Sequence, residues 1–259
     1  MGLKLISFVV CALLGLCNSA YVDTINKCSF KDDECVTKTV QNTVKDIATK
    51  GIQELNMPAV DPLALSGLSV PVLGMLNITV LEGSLTGVKD CMINHVHNDF
   101  DALVTDLDIT CDLTIKTKFK LEDIGPVAQK LFGAEATSGS GTLRLKIDKM
   151  HMKMKFFVQI IKKDDGEIYI VPNTDNLASN FDIEKLTLTA DKILFGNQDL
   201  SEIVEKLVNE NWKTFMPTFG NGVFEVTISI INTFLGNFFN NVPAKNYYID
   251  DLTSYVKNM

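Results

Sequence analysis

Only three histidines serve the 259-residue chain, and it carries no G-x-S-x-G, no G-x-G-x-x-G and no P-loop. A nucleophile elbow, a dinucleotide fingerprint and a phosphate cradle are thereby excluded, so an enzyme is not expected and no cofactor is implied. There is no CxxC to start an ordinary zinc site. Basic side chains are outnumbered by acidic ones, 24 against 32. A nucleic acid or an anionic membrane needs a clustered positive field, so neither is an expected partner. No Pro/Ser/Gly-rich linker divides the chain. Beyond the first residues no stretch is long and uncharged enough to span a bilayer, so stable membrane insertion is not expected.

The one sustained apolar run opens the chain. Lys4 precedes it, it runs from Leu5 to Cys17, and it ends in the small residues Asn18, Ser19 and Ala20. This is shorter than the roughly 20 residues of a membrane span and reads as a secretory signal peptide, residues 1–20, cut after Ser19 or Ala20. Residues 21–259 are then expected to form a single extracellular domain, with 23 basic and 32 acidic side chains and a net charge of −9. The 46% apolar content is ample for a core and leaves a surplus that could line a cavity. Loss of Cys11 and Cys17 with the signal leaves Cys28, Cys35, Cys91 and Cys111, an even count that in a secreted chain implies two disulfides. Four cysteines allow three pairings. Spacing favours Cys91 with Cys111, which are symmetric about residue 101 in the turn-like "HNDFDA", and this leaves Cys28 to close a short loop with Cys35. Asn77-Ile78-Thr79 is a sequon for a glycan.

Apolar Val36, Val40, Val44, Ile47, Ala48 and Ile52 recur at three and four residue steps and predict an amphipathic helix over residues 35–55, stopped by Pro58 and Pro62. Residues 103–122 alternate instead, with Leu113, Ile115 and Phe119 on one face and Asp106, Asp108, Asp112 and lysines on the other. Twenty alternating residues far exceed the usual strand of about five or six, so the strand belongs to a highly curved antiparallel sheet wrapped around something. From Thr142 the alternation resumes with Leu143, Leu145 and Ile147, then flips parity to Met150, Met152, Met154 and Phe156. A flip that keeps the apolar face inward marks a bulge. "KKDDGE" predicts a hairpin turn, and a last strand over residues 181–194 has a second parity change between Ile183 and Leu186. Asp199 or Ser201 can cap a helix carrying Ile203, Val204, Leu207, Val208 and Trp212. A kink is expected at Pro217 and Gly220/Gly222, followed by a nearly all-apolar helix over residues 223–239. Such a helix must be surrounded by protein, and the curved sheet needs something to wrap. The fold class is α+β: a long C-terminal apolar helix wrapped by a highly curved antiparallel sheet, with an additional N-terminal helix.

These segments resemble the insect takeout and juvenile-hormone-binding protein family. The matching stretches are the signal peptide followed by Cys28 and Cys35, "MPAVDPL" at 57–63, "GSGTLRLKIDKMHMKMK" at 139–155, "LFGNQDLSEIVEKLVNENW" at 194–212, and Pro217 inside the helix. Cys91 stands where the family usually carries a bulky apolar residue, and no cysteine after Cys111 can form the later disulfide expected of hormone-binding members. Both departures favour the broader takeout branch, whose ligands are lipophilic and diverse. The resemblance implies a tunnel lined by the inner faces of the sheet and long helix. On these grounds Met150, Met152, Met154, Phe156, Leu113 and Ile115 on the strands, and Phe219, Phe224, Ile228, Ile231 and Phe234 on the helix, become candidate ligand-binding residues. Flexible thioethers suit varied apolar ligands. His95 and His97 share a strand face but lack a third ligand, so no metal is expected there. The implied function is secreted carriage of a terpenoid hormone, fatty acid or odorant-like molecule. The alternative is a modulator protein with a solid core that meets a receptor through its surface.

Overall fold

The computed structural model describes residues 20–72, 76–122, 125–126, 138–195 and 198–256, with side chains described except at 70–72, 76, 174–176, 215–227 and 229. The proposed signal peptide therefore lies, but for Ala20, outside the described residues.

Helix α1 spans Asp33–Lys50. The Asp32 carboxylate caps it by accepting the Cys35 N–H at 3.1 Å, and Gly51, at φ 68°, ends it by donating to the Ile47 carbonyl at 3.0 Å. The helix thus stops several residues before the prolines at 58 and 62, because a left-handed glycine terminates it first; Gln53–Leu55 continue only as a short 3-10 turn.

The sheet has nine strands: β1 Leu63–Leu65, β2 Ser69–Val72, β3 Leu76–Thr86, β4 Met92–Asp99, β5 Val104–Glu122, β6 Gly139–Lys162, β7 Ile168–Asp182, β8 Lys185–Phe195 and β9 Gln198–Asp199. All pairings are antiparallel, and the sheet curls into a half-barrel. The long strands β5 (19 residues) and β6 (24 residues) form its centre. On one side β5 pairs with β4 along residues 104–110 and with β3 along 114–122; β6 pairs with β8 along 139–148 and with β7 along 151–162.

The parity flip before Met150 is a bulge: Leu113 pairs with Ile147 and Cys111 with Met150, so Asp148 and Lys149 face the single residue Asp112. Lys149 adopts φ 48°, and its N–H donates to the Asp112 carboxylate at 2.8 Å. The second parity change lies at the same level, where β7 gives way to β8 and the Glu184 N–H donates to the Asp148 carbonyl at 3.1 Å. A fault line therefore crosses the sheet and bends it into two halves while apolar residues stay inside. Across the β5–β6 ladder Asp106 meets its register partner Lys155 at 3.4 Å, and Asp108 lies 2.7 Å from the diagonal neighbour His151. Each such exposed pair contributes at most about 1 kcal/mol, but together they mark one register.

Two of the outer strands, β4 and β8, are each met by a helix whose polar side chains satisfy strand groups. On β4, Gln41 accepts the Ile93 N–H (2.7 Å) and donates to the Cys91 carbonyl (2.9 Å), while Thr37 accepts the Val96 N–H (2.9 Å). Helix α2, Ser201–Phe239, does the same on β8: Asn209 bonds both Leu188 N–H and carbonyl at 2.7 and 2.9 Å, and Glu205 accepts the Ala190 N–H at 3.0 Å. The N-cap is Leu200, without a side-chain cap bond, rather than Asp199 or Ser201 as expected; Asp199, one residue further out, accepts the Ser201 N–H at 3.0 Å. Ile203 and Leu207 face solvent, whereas Val204 and Val208 pack inward.

Helix α2 consists of two helical stretches that meet at a kink at Asn211, φ −126° and ψ 19°, and the second runs on through Pro217, Gly220 and Gly222. The expected kink is therefore misplaced. At Asn211 the side-chain amide donates to the Leu207 carbonyl at 3.0 Å, the kind of side-chain bond that competes with the helix ladder.

Two disulfides are present. Cys28–Cys35 has a Cα separation of 5.7 Å, and Cys91–Cys111 one of 4.3 Å, linking the start of β4 to β5. The first anchors more than α1. Cys28 donates to the Tyr247 carbonyl at 3.1 Å and accepts from Ile249 at 2.9 Å, while Asp250 accepts the Phe30 N–H at 2.8 Å. The N-terminal loop thereby fastens the C-terminal segment beneath the helix start.

Gly87 precedes Cys91 at φ 107°, and a Cβ there would meet the Asp112 carbonyl at 2.0 Å. Gly87→Ala is expected to lower stability by at least about 1–2 kcal/mol for the left-handed backbone alone, with the clash adding to it. A urea midpoint unchanged from wild type would contradict this placement.

Candidate functional site

Between the inner face of β4–β6, the apolar face of α1 and the last turns of α2 lies a cavity of about 360 Å³. Strand β6 contributes Met150, Met152, Met154, Phe156 and Val158 on successive inward positions; all five are less than a tenth exposed. β5 adds Leu107, Ile109, Cys111 and Leu113, and β4 adds Ile93 and Val96. α2 supplies Ile230, Ile231, Phe234 and Phe238, among others. The sheet brings the methionine stripe to this wall because the bulge at Asp148–Lys149 restores inward parity where β6 passes from one half of the sheet to the other.

Of the residues singled out from sequence, Met150, Met152, Met154, Phe156, Leu113, Ile231 and Phe234 line the cavity. Ile115 and Ile228 are half-buried and do not line it. Ile115 lies beyond the fault line, paired with Leu145 in the other half of the sheet. The side chains of Phe219 and Phe224 lie outside the described residues. Asn77 sits in β3 opposite Glu122.

Sequence reasoning missed the α1 wall, where Val36, Val40, Val44 and Ile47 face the cavity. Their amphipathic spacing was visible, but a stripe that packs on a core and one that faces a cavity have the same period. It also missed the polar end. Asn98, 6% exposed, donates to the Tyr248 hydroxyl at 3.0 Å and accepts from Thr105 at 2.8 Å; all three line the cavity. Beside them the enclosed Tyr247 hydroxyl lies near the Ile170 backbone and lacks a hydrogen bond of ordinary geometry among the described residues. No local pattern joins Asn98 to residues 150 positions away.

Burial raises the pKa of both phenols above the ordinary 10.0; Tyr248 adds to the rise at Tyr247, and the Asp250 charge adds to it at Tyr248 against the opposing Asn98 bond. Both hydroxyls are therefore neutral donors at physiological pH. A folded pKa raised above the unfolded value contributes stability that is fully present below pH 10 and is lost as pH rises through the folded values. Stability is expected to fall above pH 10 as these phenols ionise. Tyr248→Phe is expected to flatten that fall; an unchanged alkaline unfolding curve would contradict the assignment.

Beside His95 and His97, expected to lack a third ligand, stands Asp33 of α1, 2.9 Å from His97 Nδ1 and 3.6 Å from His95 Nε2. No helix among the described residues is long and apolar enough to cross a membrane.

The chain is 19% identical over 258 residues to the circadian clock-controlled protein daywake of Drosophila melanogaster, an alignment covering 94% of each. Its fold is similar to the crystal structure of Epiphyas postvittana Takeout 1, with a TM-score of 0.71 at 21% identity over 86% of this chain and 99% of that one. The family model described as haemolymph juvenile hormone binding protein matches residues 6–249, and the chain belongs to that family.

Proposed function

We propose that the protein is a secreted carrier that encloses one elongated hydrophobic molecule in the cavity between β4–β6, α1 and α2. In this reading residues 1–20 are a removed signal peptide, residues 21–259 are the carrying domain, and Asn77 accepts a glycan. The observation that supports it is the apolar cavity of about 360 Å³, within the usual range of ligand pockets, where a solid core would leave no such void. Membership of a family described by juvenile hormone binding supports an apolar cargo. Among its apolar side chains the lining offers a few hydroxyls and one amide.

The cargo's chemistry follows from the lining. Its length meets methionine, phenylalanine and aliphatic side chains, so it is a terpenoid, acyl chain or odorant-like hydrocarbon. One acceptor, such as an ester, ketone, ether or carboxyl oxygen, meets the Tyr248 and Asn98 donors. Burying about 300 Å² of ligand at about 25 cal/mol per Å² gains about 7 kcal/mol before entropic costs, which places binding near the micromolar range. Native mass spectrometry before and after mild organic extraction tests the reading, with a fluorescent fatty-acid or terpenoid probe offered to the extracted protein. A bound small molecule or saturable probe uptake is expected. Neither species bound would overturn the carrier and favour the modulator with a receptor-facing surface.

A further inference from the structure

On the outer side of the α1–β4 seam three metal-competent side chains converge. β4 shifts register between Ile93 and His95, and this bulge turns His95 outward where strict alternation from Ile93 would bury it; His97 follows two residues on, on the same face. Their rings stack with centroids 6.3 Å apart and planes 6° from parallel. Asp33, the first residue of α1, stands over both rings, and one ligand atom from each of the three residues lies within 4.8 Å of the others. The carboxylate is held in place by its neighbours, with Asp32 capping the helix and Cys35 fixed by its disulfide to Cys28.

We propose that Asp33, His95 and His97 bind a divalent transition-metal cation of the zinc class. Ligand bonds of about 2.0–2.2 Å in a tetrahedral shell place donor atoms about 3.3 Å apart. The Asp33 Oδ2 distances of 2.9 Å to His97 Nδ1 and 3.6 Å to His95 Nε2 lie on either side of that value. Both histidine side chains are about half exposed, at 55% and 49%, so small rotations suffice to close the shell, and water completes it. Two imidazoles with one carboxylate select zinc, cobalt, nickel or copper over calcium and magnesium, which take oxygen ligands. The helix N-terminus carries partial positive charge that opposes a cation, and the Asp33 carboxylate offsets it. Bound there, the ion ties the first turn of α1 to β4. Val36 and Val96, one on each element, line the cavity, so the cation braces two of its walls.

The test is calorimetric titration of the untagged full-length mature protein with ZnCl₂, with CoCl₂ absorption reporting the ligand field and circular dichroism checking each variant's fold. Saturable binding of one equivalent and a raised thermal midpoint are expected. Asp33→Asn and His97→Ala are each expected to weaken binding by at least about tenfold, since losing a ligand costs no less than losing its supporting partner. His151→Gln, altering the one histidine outside the cluster, is expected to leave the titration unchanged. Absence of saturable binding, wild-type isotherms in folded Asp33→Asn and His97→Ala, or loss of binding in His151→Gln each overturns the site.

Discussion

Met152→Trp is expected to cut uptake of an apolar fluorescent probe by roughly tenfold while leaving the thermal midpoint of the unliganded protein within a few degrees of wild type. The estimate follows from area: an indole that denies the ligand about 60 Å² of apolar contact removes about 1.5 kcal/mol at about 25 cal/mol per Å², or roughly a factor of ten. Met152 is 4% exposed and lies mid-stripe on β6, with Met150 and Met154 on either side at the cavity wall. A filled interior would respond in the opposite way. Overpacking costs about 1–3 kcal/mol, and in a chain of this size each kcal/mol lowers the midpoint by about 2–4 °C. Both quantities are to be read on extracted protein, because bound lipid itself raises the midpoint. A collapse of stability without probe binding by the wild type sinks the cavity reading.

Replacing Cys91 and Cys111 together by alanine is expected to lower stability by about 3 kcal/mol, the loop-closure value for a 20-residue separation. The same exchange at Cys28 and Cys35, seven residues apart, should cost about 2 kcal/mol. The larger loss has a local basis as well. Both sulfur-bearing residues are at most 4% exposed and line the cavity, so their truncation also removes packing where β4 meets β5. The two double variants are to be compared by urea unfolding of the same glycoform. A loss below about 1 kcal/mol for the Cys91/Cys111 variant would show that the hairpin holds its register without the bond.

The long strands were legible because alternation has a period of two and survives a bulge as a parity flip, visible at Ile147 to Met150; the flip at Ile183 to Leu186, read as a change within one strand over 181–194, is instead the break between β7 and β8. β1, β2 and β3 escaped notice because their residues do not alternate cleanly; β3 itself slips register between Val80 and Glu82. The end of α1 was placed too far along because prolines are conspicuous in a sequence, whereas Gly51 acts through a backbone angle. The break in α2 fell at Asn211 because an asparagine can turn its amide back onto a helix carbonyl, a choice made by three-dimensional context.

By itself, then, the sequence determined the curved antiparallel sheet, the two helices, the Cys91–Cys111 hairpin and the methionine stripe, all of which rest on spacing along one stretch of chain. The tertiary structure alone decided whether that stripe faces packed side chains or open space, since the same apolar residues serve both and the outcome depends on how closely α1 and α2 approach β6. It alone brought Asn98 to Tyr248 and Asp33 to His97, pairs 150 and 64 residues apart. Polar contacts of this kind leave no periodic trace, because a single side chain on each element suffices to make them once packing has fixed the elements in place.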